Sequence, residues 1–114
     1  MHELSICQSL LQQVERVAAD NGARAVERIR LRIGGLSGVE PTLLERAFEV
    51  ARLGTRAERA ELRIEGGPII VRCRACGGSS TVPPNRLLCA DCGDWQVTVT
   101  EGEELTLLSV DLEL

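Results

Sequence analysis

Apolar residues recur at spacings of three and four along the start of the chain, at Leu4, Cys7, Leu11, Val14 and Ala18, with Leu10 and Val17 beside them. That period places them on one side of a helix. Asn21-Gly22 closes it, because glycine can take the left-handed conformation that ends a helix, so a first helix is predicted from about Glu3 to Asn21. The period then changes to two. Ile29, Leu31 and Ile33 alternate with Arg28, Arg30 and Arg32, which predicts a half-buried strand with an arginine-lined outer face. Such a face is ordinarily a solvated one; docking of an acidic partner is the lesser reading. Gly34, Gly35 and Gly38 punctuate a loop, and Pro41 stands where a second helix begins. Leu44, Ala47, Phe48 and Ala51 form its buried stripe, and Gly54 marks its end. Leu62 and Ile64 alternate with Glu61, Arg63 and Glu65 in a second strand before Gly66-Gly67-Pro68 breaks the chain. Ile69 to Val71 opens a new segment that contains Pro83-Pro84. Trp95, Val97 and Val99 alternate again, Glu101-Gly102 turns, and Leu105 to Leu112 makes a final strand.

This order predicts an α+β fold, in which a small sheet of about three strands is packed against two helices that cover one face. The final strand is expected to pair with those near Arg28–Ile33 and Leu62–Ile64. Residues 1–67 and 94–114 would form this core domain, and residues 68–93 an inserted lobe. A chain of 114 residues suits a small core carrying one such lobe. Phe48 and Trp95 are the only aromatics, so the core is aliphatic and offers little stacking surface for bases. All thirteen basic residues are arginine, set against seventeen acids, and a net charge of −4 argues against a general nucleic-acid binder. From Gly93 to Leu114 there are six acids and no base, which would repel a polyanion. No apolar run approaches the roughly 18–20 residues needed to span a bilayer. No secretory leader opens the chain, so a reducing cytoplasmic location is expected.

The inserted lobe carries the clearest chemistry. Cys73-Arg-Ala-Cys76-Gly77 and Cys89-Ala-Asp-Cys92-Gly93 are two Cys-x-x-Cys-Gly units separated by twelve residues, Gly77 to Leu88. Each unit suits a tight knuckle whose sulfurs converge on one ion, the glycine supplying freedom where the chain doubles back. Four thiolates without a histidine or carboxylate leave no open coordination position, so a saturated, structural zinc site is expected. A lobe this small buries too little apolar surface to fold unaided, and metal binding would stabilise it by about 10–16 kcal/mol in comparable peptides. Two other uses of four thiolates are iron in a rubredoxin-like electron carrier and a zinc-ribbon interaction module. Cys7, on the apolar stripe of the first helix, reads as a small buried thiol. No nucleophile-base pair, phosphate loop or paired acids stand out, so no enzyme is expected.

The chain's one histidine is His2. With a metal as ring member, its imidazole Nδ1 and its own backbone nitrogen close a six-membered chelate. The Glu3 backbone nitrogen, or the free amine of Met1, closes a five-membered one. Nitrogen donors in this planar arrangement suit Ni(II) or Cu(II) better than zinc. The imidazole must be neutral to bind, so affinity should fall on acidification below an ordinary histidine value of about 6.5.

Met1-His2-Glu3-Leu4-Ser5, Gly-Gly-Leu-Ser-Gly-Val-Glu-Pro at 34–41, Ala47-Phe48-Glu49 and the two Cys-x-x-Cys units, in this order and spacing, resemble the HypA/HybF family of hydrogenase maturation proteins. The resemblance spans essentially the whole chain. It implies a nickel metallochaperone working with the GTPase HypB to load Ni(II) into the large subunit of [NiFe]-hydrogenase. His2 would then be the nickel ligand through ring and backbone nitrogens, and Glu3 would contribute its backbone nitrogen and carboxylate. Cys73, Cys76, Cys89 and Cys92 would hold Zn(II). Glu40 is either a further oxygen donor or the cap of the second helix. Some relatives depart from four cysteines, whereas this chain keeps them, so pH sensing by histidines beside the zinc is not implied. Monomer and homodimer are both compatible with the sequence.

Overall fold

The computed structural model describes residues 2–114. The elements are α1 (His2–Asp20), β1 (Ala25–Gly34), α2 (Pro41–Ala51), β2 (Glu61–Gly67), β3 (Ile70–Cys73), β4 (Ser79–Thr81), β5 (Val97–Glu101) and β6 (Leu105–Glu113). They fall into two compact units. One takes the chain to Leu31, with Val39–Glu65 and Thr106–Leu114; the other takes Arg32–Gly38 and Gly66–Leu105.

The first unit is built as its periodicity dictates. Cys7, Leu10, Leu11, Val14 and Ala18 of α1 are buried, as are Leu44 and Phe48 of α2 and Val26, Ile29 and Leu31 of β1. The stripe on α1 differs from expectation at its start and near its end. Leu4 is 44% exposed and Val17 37%, while Glu3 is 6% exposed. The helix therefore turns a carboxylate rather than an isobutyl group inward at its first turn. Gly22, at φ 64°, ends α1 as the sequence suggests. Pro41 occupies the first turn of α2, and the Glu40 carboxylate accepts the Thr42 and Leu43 backbone N–H groups at 3.3 Å each. At the other end Arg52 lies 4.7 Å from the Phe48 ring centroid and donates to the Ala60 carbonyl.

The strands order as β2-β1-β6. The Arg24 N–H meets the Glu113 carbonyl at one end of β1 and the Gly34 N–H meets the Glu104 carbonyl at the other, so β6 runs antiparallel to β1. The arginine ladder on the outer face is matched from within the sheet. Arg28 reaches Glu61 (3.2 Å) and Asp111 (2.9 Å), Arg30 reaches Glu65 (3.8 Å), and Arg63 binds Glu61 (2.7 Å). Alternating acids on β2 and β6 thus satisfy the face that could otherwise have sought an acidic partner.

The second unit has its own sheet, β4-β3-β5, antiparallel throughout, with a bulge between Ile70 and Val71 where β3 meets β5. Ile69, Val71 and Val82 form its small core, flanked by Leu36, Leu87, Val97 and Val99. The strand expected at Trp95–Val99 exists as β5 and belongs to this sheet. Gly66 and Gly67, read as a break, lie within β2. Gly34 has a backbone reason beyond turn-making: a Cβ there would overlap the carbonyl of Gly102, which is itself at φ 122°.

Candidate metal centres

The two Cys-x-x-Cys-Gly units fold alike, atom for atom. In the first, the Cys76 N–H donates to Cys73 Sγ at 3.4 Å and the Gly77 N–H to the Cys73 carbonyl at 3.0 Å. In the second, the Cys92 N–H donates to Cys89 Sγ at 3.5 Å and the Gly93 N–H to the Cys89 carbonyl at 2.9 Å. Gly77 and Gly93 sit at φ 75° and 77°, where a side chain would be strained. Each first cysteine is also tied back by its own N–H, Cys73 to the Gly78 carbonyl and Cys89 to the Asp94 carbonyl, both at 2.9 Å. The repeat of one backbone motif explains why both units need the same five-residue pattern.

The loops bring all four sulfurs within 4.8 Å of one another. Sulfurs meet across the units, Cys73 with Cys92 and Cys76 with Cys89, at 3.6 Å each. Tetrahedral zinc with bonds of about 2.3 Å separates its sulfurs by about 3.8 Å, so the four thiols fit that ion. Cys73 and Cys89 are buried and Cys76 and Cys92 exposed. Backbone N–H groups of Cys92 and Asp91 draw the Cys89 thiol down to about 7. The Asp94 N–H favours a thiolate at Cys92 too, yet the hydrogen bond with Cys73, some loss of hydration and the Cys89 and Cys76 sulfurs push that thiol up to about 12. One sulfur ionises readily and a second resists beside it. A divalent cation would remove that conflict and displace the remaining protons. Ser80, which no sequence signal marked, supports the second knuckle by accepting the Ala90 N–H at 3.1 Å.

Cys7 is fully buried in the first unit, and burial raises its thiol above the ordinary value. It takes no part in the cluster, as its place on the apolar stripe suggests.

The structure places His2 and Glu3 in the first turn of α1. The His2 side chain is 59% exposed, and its Nε2 lies 3.6 Å from Glu3 Oε2. The backbone N–H groups of both residues precede the first intrahelical hydrogen bond, so neither is claimed by the helix ladder. The Met1 amine, the other nitrogen considered from sequence, lies outside the described residues. Glu40 caps α2 with both carboxylate oxygens. No helix among the described residues is long and apolar enough to cross a membrane.

Comparison with known proteins agrees with this geometry. A family model described as hydrogenase/urease nickel incorporation, metallochaperone, hypA matches residues 1–112. The hydrogenase maturation factor HypA of Nitrosospira multiformis is 52% identical over 112 residues, covering 98% of this chain and 97% of its own length. That of Aquifex aeolicus is 42% identical over 114 residues, covering 100% and 99%. The solution structure of the Ni metallochaperone HypA from Helicobacter pylori matches with a TM-score of 0.73 at 30% identity, over 99% of this chain and 98% of that one. A second HypA solution structure gives 0.75 at 30% identity, over 98% and 96%. Agreement of this extent, in sequence and backbone alike, means that the chain belongs to the HypA family, the nickel metallochaperones of hydrogenase maturation.

Proposed function

We propose that this chain binds Ni(II) as cargo at its first helical turn and releases it during maturation of [NiFe]-hydrogenase, while Zn(II) stays among the four cysteines as a structural ion. The nickel task falls to the unit that contains α1, and zinc to the unit that contains the knuckles. The observation that carries the nickel reading is the first turn of α1. His2 is exposed with the Glu3 carboxylate beside its ring, and the His2 and Glu3 amide nitrogens stand ahead of the first i→i−4 donor of the helix. A metal can take those nitrogens without unwinding the helix, and a partner can reach them without opening the core. Cargo would leave by ligand exchange within a complex with a HypB-type GTPase and the hydrogenase large subunit. The donor set prefers copper to nickel, so selection rests on metal supply and partner docking rather than on the ligands.

Titration calorimetry of the zinc-loaded, untagged chain tests this. One equivalent of Ni(II) is expected to bind, and His2→Ala should abolish it while zinc content and helicity stay unchanged. Nickel affinity retained in that variant would remove His2 from the site.

A further inference from the structure

Strand β3 divides its side chains between two environments. Val71 and Cys73 are buried, whereas Arg72 and the residue just past the strand, Arg74, whose N–H donates to the Gln96 carbonyl at 2.9 Å, are exposed. In register, Arg72 stands opposite Thr98 on β5 and Ser79 on β4. Arg72, Arg74, Thr98 and Thr100 line a depression of about 540 Å³, completed by Cys73 and Gly77. Arg74 Nε donates to Thr98 Oγ1 at 3.3 Å, which holds that guanidinium in place and leaves the Thr98 hydroxyl proton free to donate. Thr100 Oγ1 is tied to the Ile70 carbonyl at 3.1 Å.

No acid among the described residues offsets the guanidiniums at this depression, although Cys73, one of the thiolates that would hold zinc, lies between them in sequence. No carboxylate lines it, and neither Arg72 nor Arg74 makes an ion pair among the described residues. Arg24, Arg28, Arg30, Arg52, Arg56 and Arg63 each meet an acid of this same chain; Arg16, Arg46, Arg59 and Arg86 do not among the described residues, and what marks Arg72 and Arg74 is that they line one depression together. In a protein with more acids than bases, two adjacent unpaired guanidiniums with a free hydroxyl between them are a receptor for carboxylates. Their spacing defines the ligand further. Residues two apart on one strand face are about 6–7 Å apart, which is also the repeat of side chains along an extended peptide. The volume exceeds that of a bare phosphate, and no aromatic is present to stack a base.

We propose that the outer face of β3 and β5 binds an extended acidic segment of a partner protein, with carboxylates two residues apart received by Arg72 and Arg74. The site lies wholly within the second unit and shares no residue with the proposed nickel turn. The test uses the zinc-loaded full chain and a blocked peptide, Gly-Glu-Val-Glu-Val-Glu-Gly, with its Gln-for-Glu counterpart, followed by amide chemical shifts. Saturable shifts are expected at residues 72–74 and 98–100, with the Gln peptide and the Arg72→Gln/Arg74→Gln variant each at least about tenfold weaker. Arg86→Gln, an exposed arginine elsewhere in the unit, should leave affinity unchanged. Equal binding of the two peptides, or full binding by the double variant, overturns the proposal. If that variant loses zinc, Thr98→Val and Arg72→Lys/Arg74→Lys replace it, and unchanged affinity in both is equally fatal. Inorganic phosphate that saturates the same amides and is not displaced by the acidic peptide would make this a small-anion pocket instead. Shifts there that follow protein concentration alone would assign it to a second copy.

Discussion

At the scale of single residues, carboxylates carry much of the specificity of this fold. Glu40 uses both oxygens to cap α2, so Glu40→Ala should lower stability by about 1 kcal/mol while leaving nickel stoichiometry unchanged. Denaturant unfolding beside a nickel titration checks both parts, and loss of nickel at intact stability would restore Glu40 as a ligand. Glu61 is held below its ordinary value of 4.5, first by the hydrogen bond from Arg63 and then by that from Arg28. A depressed carboxyl stabilises the fold above its unfolded value, and that contribution disappears as pH falls through the folded value. Wild type should therefore lose stability more steeply than Glu61→Gln as pH drops below about 4.5, measured as thermal midpoints across the acid range. Glu3 shows where a residue's role was not legible: the periodic stripe began at Leu4, yet Glu3 is the buried group. Hydrophobic spacing ranks side chains by polarity, and a first helical turn can invert the ranking where a carboxylate finds donors.

At the scale of elements, the knuckles account for the second unit. Its core is only three buried apolar residues with four partly buried neighbours, too small to offset the entropy of ordering the segment without an ion. Chelation of zinc should collapse the amide dispersion of residues 66–105 while the helical circular dichroism of α1 and α2 remains. Chelator-resistant spectra would show that the sulfurs are dispensable. Cys7→Ser should cost stability, because it buries a hydroxyl in an apolar site, but leave one zinc per chain, read by metal analysis. Both helices, β1, β2 and β6 were legible because their periods are long enough to register. β4 was not, since Ser79-Ser80-Thr81 has no apolar alternation and exists through its pairing with β3. β5 was visible as a strand, but no local pattern names its neighbour. That choice is made by the bulged pairing to β3 and by Val97 and Val99 packing on Val71 and its companions.

At the scale of the whole molecule, the proposed reading asks one short chain to hold two metals with different tenures. The four sulfurs were fully legible, because their spacing encodes a closed site. The proposed nickel turn rests on the His2 chelate arithmetic and the resemblance of the opening residues, since a lone histidine carries no spacing. If the Met1 amine, rather than the Glu3 nitrogen, completes the chelate with His2, acetylating the amino terminus or extending it with a tag should weaken nickel uptake at least about tenfold with zinc unaffected, because a donor is removed or crowded. Unaltered nickel affinity after such blocking would confine the ligands to His2 and the residues after it.

Residues 32–38 belong to the knuckle-bearing unit although they precede it by nearly thirty positions. Gly34 presses its backbone on Gly102, the Leu36 N–H donates to the Gly102 carbonyl at 2.7 Å, and Leu36 packs beside Ile69 and Val82. A gene fragment cut at Gly66 would therefore encode a lobe missing one wall. Chimaeras that exchange this lobe between relatives must transplant the earlier heptapeptide with it, or the graft will arrive with its apolar floor open to water.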